Sequence, residues 1–181
     1  MTAVMSLSGF WVAPRVGHLE RAKRVYLYLS NFKDAVIRFR TDEPDCSVLL
    51  EQQCDWDQSV HGEVMEEVPA DAPEPLGKHV VLTHCFDANL HHNMLTGHVV
   101  TGALHLANQM PIDWYSKKQS TVETSTYGSE FVAGRTCVEQ IVDLCYTLRY
   151  LGVPLREKSY VFGDNKSMID SSTIPHSRLH K

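Results

Sequence analysis

The most constraining feature of the sequence is a long amphipathic helical pattern whose apolar side begins with a carboxylate. Residues 122–151 predict one helix, because apolar side chains gather on one side when successive residues are placed about 100° apart. Glu130 falls on that side, near its N-terminal end. The same side carries Gly134, Cys137, Ile141, Leu144, Cys145 and Leu148, whereas Arg135, Glu139 and Asp143 fall opposite.

Two interpretations of Glu130 are open at this point. An ionised carboxylate on a buried face is costly unless a cation or a metal ion pairs with it. Alternatively, Glu130 is an ordinary helix-start glutamate, favoured by the helix dipole and half exposed to solvent.

Strand-like segments surround this helix. KHVVLTHCFD (78–87), TGHVVTGALHLA (96–107) and PIDWYS (111–116) lie close together and predict an antiparallel meander. KSYVFG (158–163) predicts a fourth strand, and NKSMIDSS (165–172) predicts the start of a second helix. The order βββαβα indicates an α/β or α+β domain.

The preceding part of the chain has a different texture. Residues 18–32 predict a short amphipathic helix, and AVIRFR (35–40) predicts a strand, with a further strand possible around SVLLEQ (47–52). The segment EVMEEVPADAPEPLG (63–77) is acidic and contains three prolines. It therefore predicts an exposed, extended linker.

Composition narrows the class of protein. The 181 residues are 43% hydrophobic and 22% charged, as in soluble globular proteins. No apolar run is long enough for a bilayer, and the N-terminus lacks the pattern of a secretory signal. Five cysteines without a CxxC pair favour a reducing compartment. The net charge of −5 argues against a broad basic surface but permits a local phosphate-binding patch.

Two further acids stand at the ends of predicted elements. Asp87 ends the first strand of the meander, and Asp164 ends the fourth strand. Each alone is an ordinary strand terminator or helix cap. If the helix packs on these strands, however, both acids and Glu130 meet at one sheet edge. Oxygen-only clusters suit Mg²⁺ or Mn²⁺, and a pair of such ions is the usual arrangement for cutting a phosphodiester.

Three motifs carry a resemblance to a known family. They are FDAN (86–89), residues 96–133 and FGDNKSMIDSSTIPHSRLHK (162–181), and they resemble the RNase H domain of copia-type retrotransposon polyproteins. WYSKKQSTVETSTYGSE is similar to the family pattern W-S-K-K-Q…V…S-S-T-E-A-E, with Tyr127-Gly128-Ser129-Glu130 in place of the E-A-E ending. Residues 1–45 resemble the segment that closes the preceding reverse transcriptase.

The resemblance implies an RNase H-like fold, with a mixed five-stranded sheet flanked by helices. It implies an endoribonuclease that hydrolyses the RNA strand of RNA–DNA hybrids during retroelement reverse transcription. Asp87, Glu130 and Asp164 match the family's three acids and would hold two Mg²⁺ or Mn²⁺ ions. The implied partners are the hybrid and the reverse transcriptase domain of the same polyprotein, without a membrane. The implied location is a cytoplasmic retroelement particle or the nucleus.

One departure from the family affects the expected activity. The family has a further metal-binding acid on a final helix, and the sequence ends at Lys181 without one, while Asp170 is expected to be a solvated surface residue. The expected parts are thus residues 1–45 from the reverse transcriptase, a linker over 46–77, and an RNase H-like domain over 78–181, truncated and with an impaired site. The alternative is a non-catalytic RNase H-like module, derived from a retroelement, that binds nucleic acid or protein.

Several polar residues are candidates for contacts with nucleic acid. Asn89 and Asn165 flank the proposed acids, although capping and turn roles are also open to them. Residues 116–119 precede the long helix and could bind phosphates, or could form a solvated loop. These four residues are Ser116, Lys117, Lys118 and Gln119. In RNase H folds a histidine near the last acid assists product release, which makes His176 and His180 candidates.

Overall fold

The computed structural model describes residues 7, 10, 12–36, 38–47, 49, 68–90, 98–156 and 158–174. Within these residues the order of elements after the N-terminal helix is βββαβα, as predicted. The elements are α1 (Val16–Asn31), β1 (Leu82–Asn89), β2 (Val100–Ala107), β3 (Met110–Lys118), α2 (Thr126–Tyr150), β4 (Tyr160–Phe162) and α3 (Lys166–Thr173). None of the described helices combines the length and the apolar character needed to cross a bilayer.

The strands form one mixed sheet in the order β3-β2-β1-β4. β1, β2 and β3 are antiparallel neighbours, with a tight turn between β2 and β3, whereas the crossover through α2 brings β4 parallel to β1. Asn108 turns the chain between β2 and β3 with a φ of 55°, a conformation that asparagine tolerates. The α/β class with helices flanking a mixed sheet is confirmed. Five strands were predicted, and the described residues contain four.

The core lies between the sheet and the apolar side of α2. In β1 the side chains of Leu82, His84, Phe86 and Ala88 are buried, and in α2 the buried residues are Ser129, Glu130, Ala133, Gly134, Cys137 and Ile141. The helical pattern therefore predicted the buried side of α2 correctly.

The ring of Phe86 fills the space between α2 and the end of β4. A Cβ atom added at Gly163 would lie 2.5 Å from Phe86 Cζ, and one added at Gly134 would lie 3.2 Å from the same atom. A side chain at position 163 would therefore displace the Phe86 ring, and one at position 134 would contact it tightly. Phe86 and Gly163 directly precede Asp87 and Asp164, so this packing sets the position of both acids.

A buried pair of histidines joins β1 to β2 on the sheet face that packs against α2. His84 and His105 lie opposite each other in the β1–β2 register, and both are buried. Their Nδ1 atoms are 2.8 Å apart, and His105 Nε2 lies 3.1 Å from Gln140 Oε1. Because an amide oxygen only accepts, His105 Nε2–H donates to it and His105 Nδ1 accepts from His84. His84 Nε2 is then a buried acceptor without a hydrogen-bond partner.

The N-terminal region departs from the predictions in one element. Helix α1 confirms the helix predicted over 18–32, and it contains no buried residue. The strand predicted over 35–40 is wrong for the described residues of that range, which form no strand. Val36 and Phe39 are exposed there, and a strand pattern yields a strand only where a neighbour pairs with it. Most of the segment 47–52 lies outside the described residues.

The predicted linker is irregular but touches the end of α2. Residues 68–77 form no helix or strand and are mostly exposed, as predicted, whereas residues 63–67 lie outside the described part. The Leu76 N–H donates to the Gly152 carbonyl at 2.9 Å. Farther upstream, Asn108 Nδ2 donates to the Thr41 carbonyl at 3.0 Å, and Arg156 pairs with Glu43 at 2.9 Å. Exposed polar contacts therefore tie residues 41–43 to the sheet.

The histidine pair predicts a loss of stability in acid. Burial, with a smaller contribution from His105, lowers the pKa of His84 to about 4, against about 6.5 in an unfolded chain. The unfolded state therefore binds more protons as the pH falls below 6.5, and the stability contributed by neutral His84 is lost between pH 6.5 and 4. Denaturant unfolding should show that the His84→Gln variant loses about 2 kcal/mol less than the wild type between pH 7.5 and 5. Equal losses in the two proteins would contradict this role of His84.

Candidate metal centre

Three carboxylates from three elements meet at one edge of the sheet. Asp87 lies in β1, Glu130 lies in the second turn of α2, and Asp164 follows β4; one oxygen of each lies within 4.8 Å of the other two. The parallel register pairs Cys85 with Phe162, so Asp87 and Asp164 each stand two residues beyond the same rung. The convergence predicted from the element ends is therefore present, and it is the one such group of potential ligands among the described residues.

Glu130 is a buried carboxylate of which only one oxygen has a hydrogen-bond donor. Glu130 is 5% exposed, and its Oε1 accepts a 3.2 Å hydrogen bond from the Ala88 N–H. Oε2 is buried without a hydrogen-bond partner. The interpretation of Glu130 as a half-exposed helix-start residue is therefore wrong.

The donor of that hydrogen bond is available because β4 is short. β4 ends at Phe162, which pairs with Cys85, so β4 does not reach the level of Ala88 three residues further along β1. The Ala88 N–H at this open side of β1 therefore finds its acceptor in α2 rather than in a neighbouring strand. The same open side gives Glu130 access to Asp87.

The ionisation of Glu130 is unfavourable in the absence of a cation. Burial raises the pKa of Glu130 to about 7, the Ala88 N–H opposes this, and the nearby Asp164 and Asp87 carboxylates raise the pKa further. A buried, unpartnered oxygen beside two exposed carboxylates is what a hard divalent cation would satisfy. The residues present thus fit Mg²⁺ or Mn²⁺, with Asp87 and Asp164 on the solvent side.

The start of α2 is fixed by its own capping bonds. The Ser125 hydroxyl accepts from the Gly128 N–H at 3.1 Å, and the Ser129 hydroxyl donates to the Thr126 carbonyl at 2.8 Å. Asn165 plays the same capping role for α3, because its side-chain oxygen accepts from the Met168 N–H at 3.0 Å. The capping interpretation of Asn165 therefore holds for that oxygen, which is engaged within the protein.

Some of the predicted nucleic-acid contacts share a face of the sheet with Asp87. In the strand register Asp87 pairs with Gly102, which pairs with Ser116, and Asn89 pairs with Val100, which pairs with Lys118. Residues directly opposite in a sheet point to the same face, and two strand spacings place Ser116 about 10 Å from Asp87. Asn89, Ser116 and Lys118 thus form two polar rungs on the face opposite α2. Lys117 is exposed but alternates to the other face.

Gln119 is in a different environment from the one predicted. It is 6% exposed, and its Nε2 donates to Thr101 Oγ1 at 2.9 Å and to the Ser129 carbonyl at 3.0 Å. A buried amide engaged in this way is not available to phosphates, so the assignment of Gln119 to nucleic-acid binding is corrected. His176 and His180 lie outside the described residues.

Comparisons of the chain with protein-family models, with curated proteins and with solved structures find no match. No relative therefore indicates what this edge of the sheet binds.

The buried carboxylate predicts a metal-dependent gain in thermal stability. Mn²⁺ or Mg²⁺ that binds only the folded state should raise Tm, corresponding to about 2.7 kcal/mol at a hundredfold excess over Kd. Glu130→Gln should lose most of this response. It should also be more stable than the wild type in chelator at pH 8, because a buried charge without a counter-ion is removed.

Glu139→Gln is the matched control, since Glu139 is an exposed glutamate on the other side of α2, paired with Arg135. Its Tm should respond to the metal as the wild type does. An undiminished response in Glu130→Gln would show that the cation binds elsewhere.

Proposed function

We propose that the chain is a metal-dependent endoribonuclease of the RNase H class, which hydrolyses the RNA strand of RNA–DNA hybrids in the reverse transcription of a retroelement. The observation that carries the proposal is the meeting of the Asp87, Glu130 and Asp164 carboxylates, one of which, Glu130, has a buried oxygen without a hydrogen-bond partner. The mixed sheet and its helices are compatible with an RNase H-like fold. The motifs that resemble copia-type elements supply the substrate class.

The three carboxylates would hold two Mg²⁺ or Mn²⁺ ions in different ways. Asp87 lies on β1, which pairs with β4 and contacts α2, so it would be the ligand shared by both ions. Glu130 is buried and accepts a hydrogen bond from the Ala88 N–H, whereas Asp164 is exposed to solvent. Divalent ions held there would lower the pKa of an attacking water and stabilise charge on the leaving 3′ oxygen.

A phosphate backbone would lie on the sheet face opposite α2. Ser116 and Lys118 lie on the rungs of Asp87 and Asn89, and these rungs are separated by two residues along each strand. A hydroxyl and an ammonium group at this distance would position a sugar–phosphate backbone without reading its sequence. Residues 1–45, which include helix α1, would be the C-terminal segment of the reverse transcriptase of the same polyprotein, in a cytoplasmic particle or in the nucleus.

A non-catalytic binding module is the alternative, and one observation favours it. Trp114, Leu104 and Phe162 are 58%, 37% and 38% exposed. The strand register places them in one row, with Cys85 between Leu104 and Phe162. An exposed apolar row on a sheet face suits a protein partner better than a nucleic acid.

A cleavage assay on a labelled RNA–DNA hybrid distinguishes the two functions. The wild type should release RNA fragments with Mn²⁺ and less efficiently with Mg²⁺, because Mn²⁺ tolerates looser geometry. Asp87→Asn should reduce cleavage by about a hundredfold or more, since it removes the bridging ligand. Asp170→Asn, in α3 outside the carboxylate group, should cleave within about twofold of the wild type.

Cleavage by Asp87→Asn at the wild-type rate would show that the hydrolysis does not come from this site. A wild type that binds the hybrid in Mn²⁺ without cutting it would support a non-catalytic module that binds nucleic acid, and a wild type that neither cuts nor binds the hybrid would support one that binds protein.

A further inference from the structure

Gln119 occupies a buried position between the meander and the start of α2. It follows directly after β3, and its own N–H donates to the Val99 carbonyl at 2.8 Å. Its side-chain Nε2 donates to Thr101 in β2 and to the Ser129 carbonyl in α2. One amide group therefore joins three separate segments of the chain.

Both of these hydrogen bonds end next to the contacts of Glu130. Ser129 directly precedes Glu130 in α2. Thr101 pairs with Ala88 in the β1–β2 register, and the Ala88 N–H donates to Glu130 Oε1. Gln119 thus closes a ring that runs through β2, β1 and α2 and has the Glu130 carboxylate as its last member.

The nitrogen of the amide carries both contacts, whereas its Oε1 is buried without a hydrogen-bond partner. The two N–H bonds of Nε2 diverge and reach two different acceptors. A side chain without two such donors could not make both hydrogen bonds. The acceptors are a hydroxyl at 2.9 Å and a carbonyl at 3.0 Å, both buried with the amide. A buried hydrogen-bonded contact of this kind fixes the start of α2 both along and across the sheet.

We propose that Gln119 is a positioning residue for the metal centre: it sets the place of the Glu130 carboxylate through Ser129 and Thr101, without touching the metal or the substrate. The inference rests on the metal-binding part of the proposed function. It assigns a role within the WYSKKQ segment that differs from contact with phosphates.

The test is isothermal titration calorimetry, in which Mn²⁺ alone is titrated into the Gln119→Met protein to measure its affinity for the metal. Methionine keeps the length of the side chain and removes both donors. The variant should bind Mn²⁺ about tenfold or more weakly, as is usual when a group that orients a metal ligand is lost. Gln140→Met is the matched control, because Gln140 is a half-buried glutamine that is also hydrogen-bonded, but to His105 and away from the carboxylates. It should bind Mn²⁺ within about twofold of the wild type.

Thr101→Val provides a second route if Gln119→Met does not fold. Valine is nearly isosteric and removes one of the two acceptors, so a several-fold weaker Mn²⁺ affinity is expected. Wild-type Mn²⁺ affinity in the folded Gln119→Met or Thr101→Val protein would overturn the inference. So would equal weakening in Gln140→Met, which would indicate a general loss of stability.

Parallel cleavage assays separate this inference from the proposed function. If Gln119 acted by gripping phosphates, Gln119→Met would raise the KM for the hybrid and leave Mn²⁺ affinity unchanged, which overturns positioning but not the ribonuclease. If the wild type binds Mn²⁺ without cutting the hybrid, and Gln119→Met binds Mn²⁺ more weakly, positioning stands and the ribonuclease fails. No Mn²⁺ binding by the wild type would overturn the inference, because there would be no centre to position.

Discussion

The hydrogen bond from the Ala88 N–H to Glu130 Oε1 is the contact on which the candidate site depends. It fixes both the rotation and the height of α2 on the sheet, because a shift of one residue along the helix would turn Glu130 away by about 100°. The apolar stripe through Gly134 and Cys137 packs on the same side. Burial of that stripe therefore forces Glu130 into the interior, where one oxygen has a donor and the other has none. Burial of apolar surface, which drives folding, thus leaves an oxygen of Glu130 without a hydrogen-bond donor, and a cation could bind that oxygen.

The two aspartates are positioned by the packing of the residues that directly precede them. Phe86 and Gly163 lie in contact one residue before Asp87 and Asp164, and a side chain at position 163 would push β4 away from the ring. The parallel register then brings both carboxylates to the same level. Glu130 is therefore buried and hydrogen-bonded, whereas the two aspartates are exposed to solvent.

The sequence predicted those features that follow from local periodicity. The strands of the meander, the long helix and its buried side could be read from apolar spacing, and the three acids from their places at element ends. The strand predicted over 35–40 failed because a β-branched pattern says nothing about whether a neighbour is present. Gln119 follows two lysines and so resembled a surface residue, since nothing local signals that Thr101 and Ser129 will enclose it. The His84–His105 pair escaped notice for the same reason, because their contact depends on a register that the sequence does not state.

The order of residues on the sheet face opposite α2 bears on whether protein binding and hydrolysis exclude each other. Along β1 this face presents Asn89, then Asp87, then Cys85, and the neighbouring strands match these with Lys118, Ser116 and Trp114 respectively. The carboxylate rung therefore lies between a polar, basic rung and an apolar one. A nucleic acid attracted to the ammonium group would approach from the first side, whereas a protein partner would bury the apolar row on the second. Adjacent rungs are about 7 Å apart along the strands. A protein partner bound over Trp114 would therefore also cover one side of the site, and a phosphate backbone could approach only from the Lys118 side. Protein binding and hydrolysis are thus compatible in this fold, with the partner shaping the approach to the carboxylates.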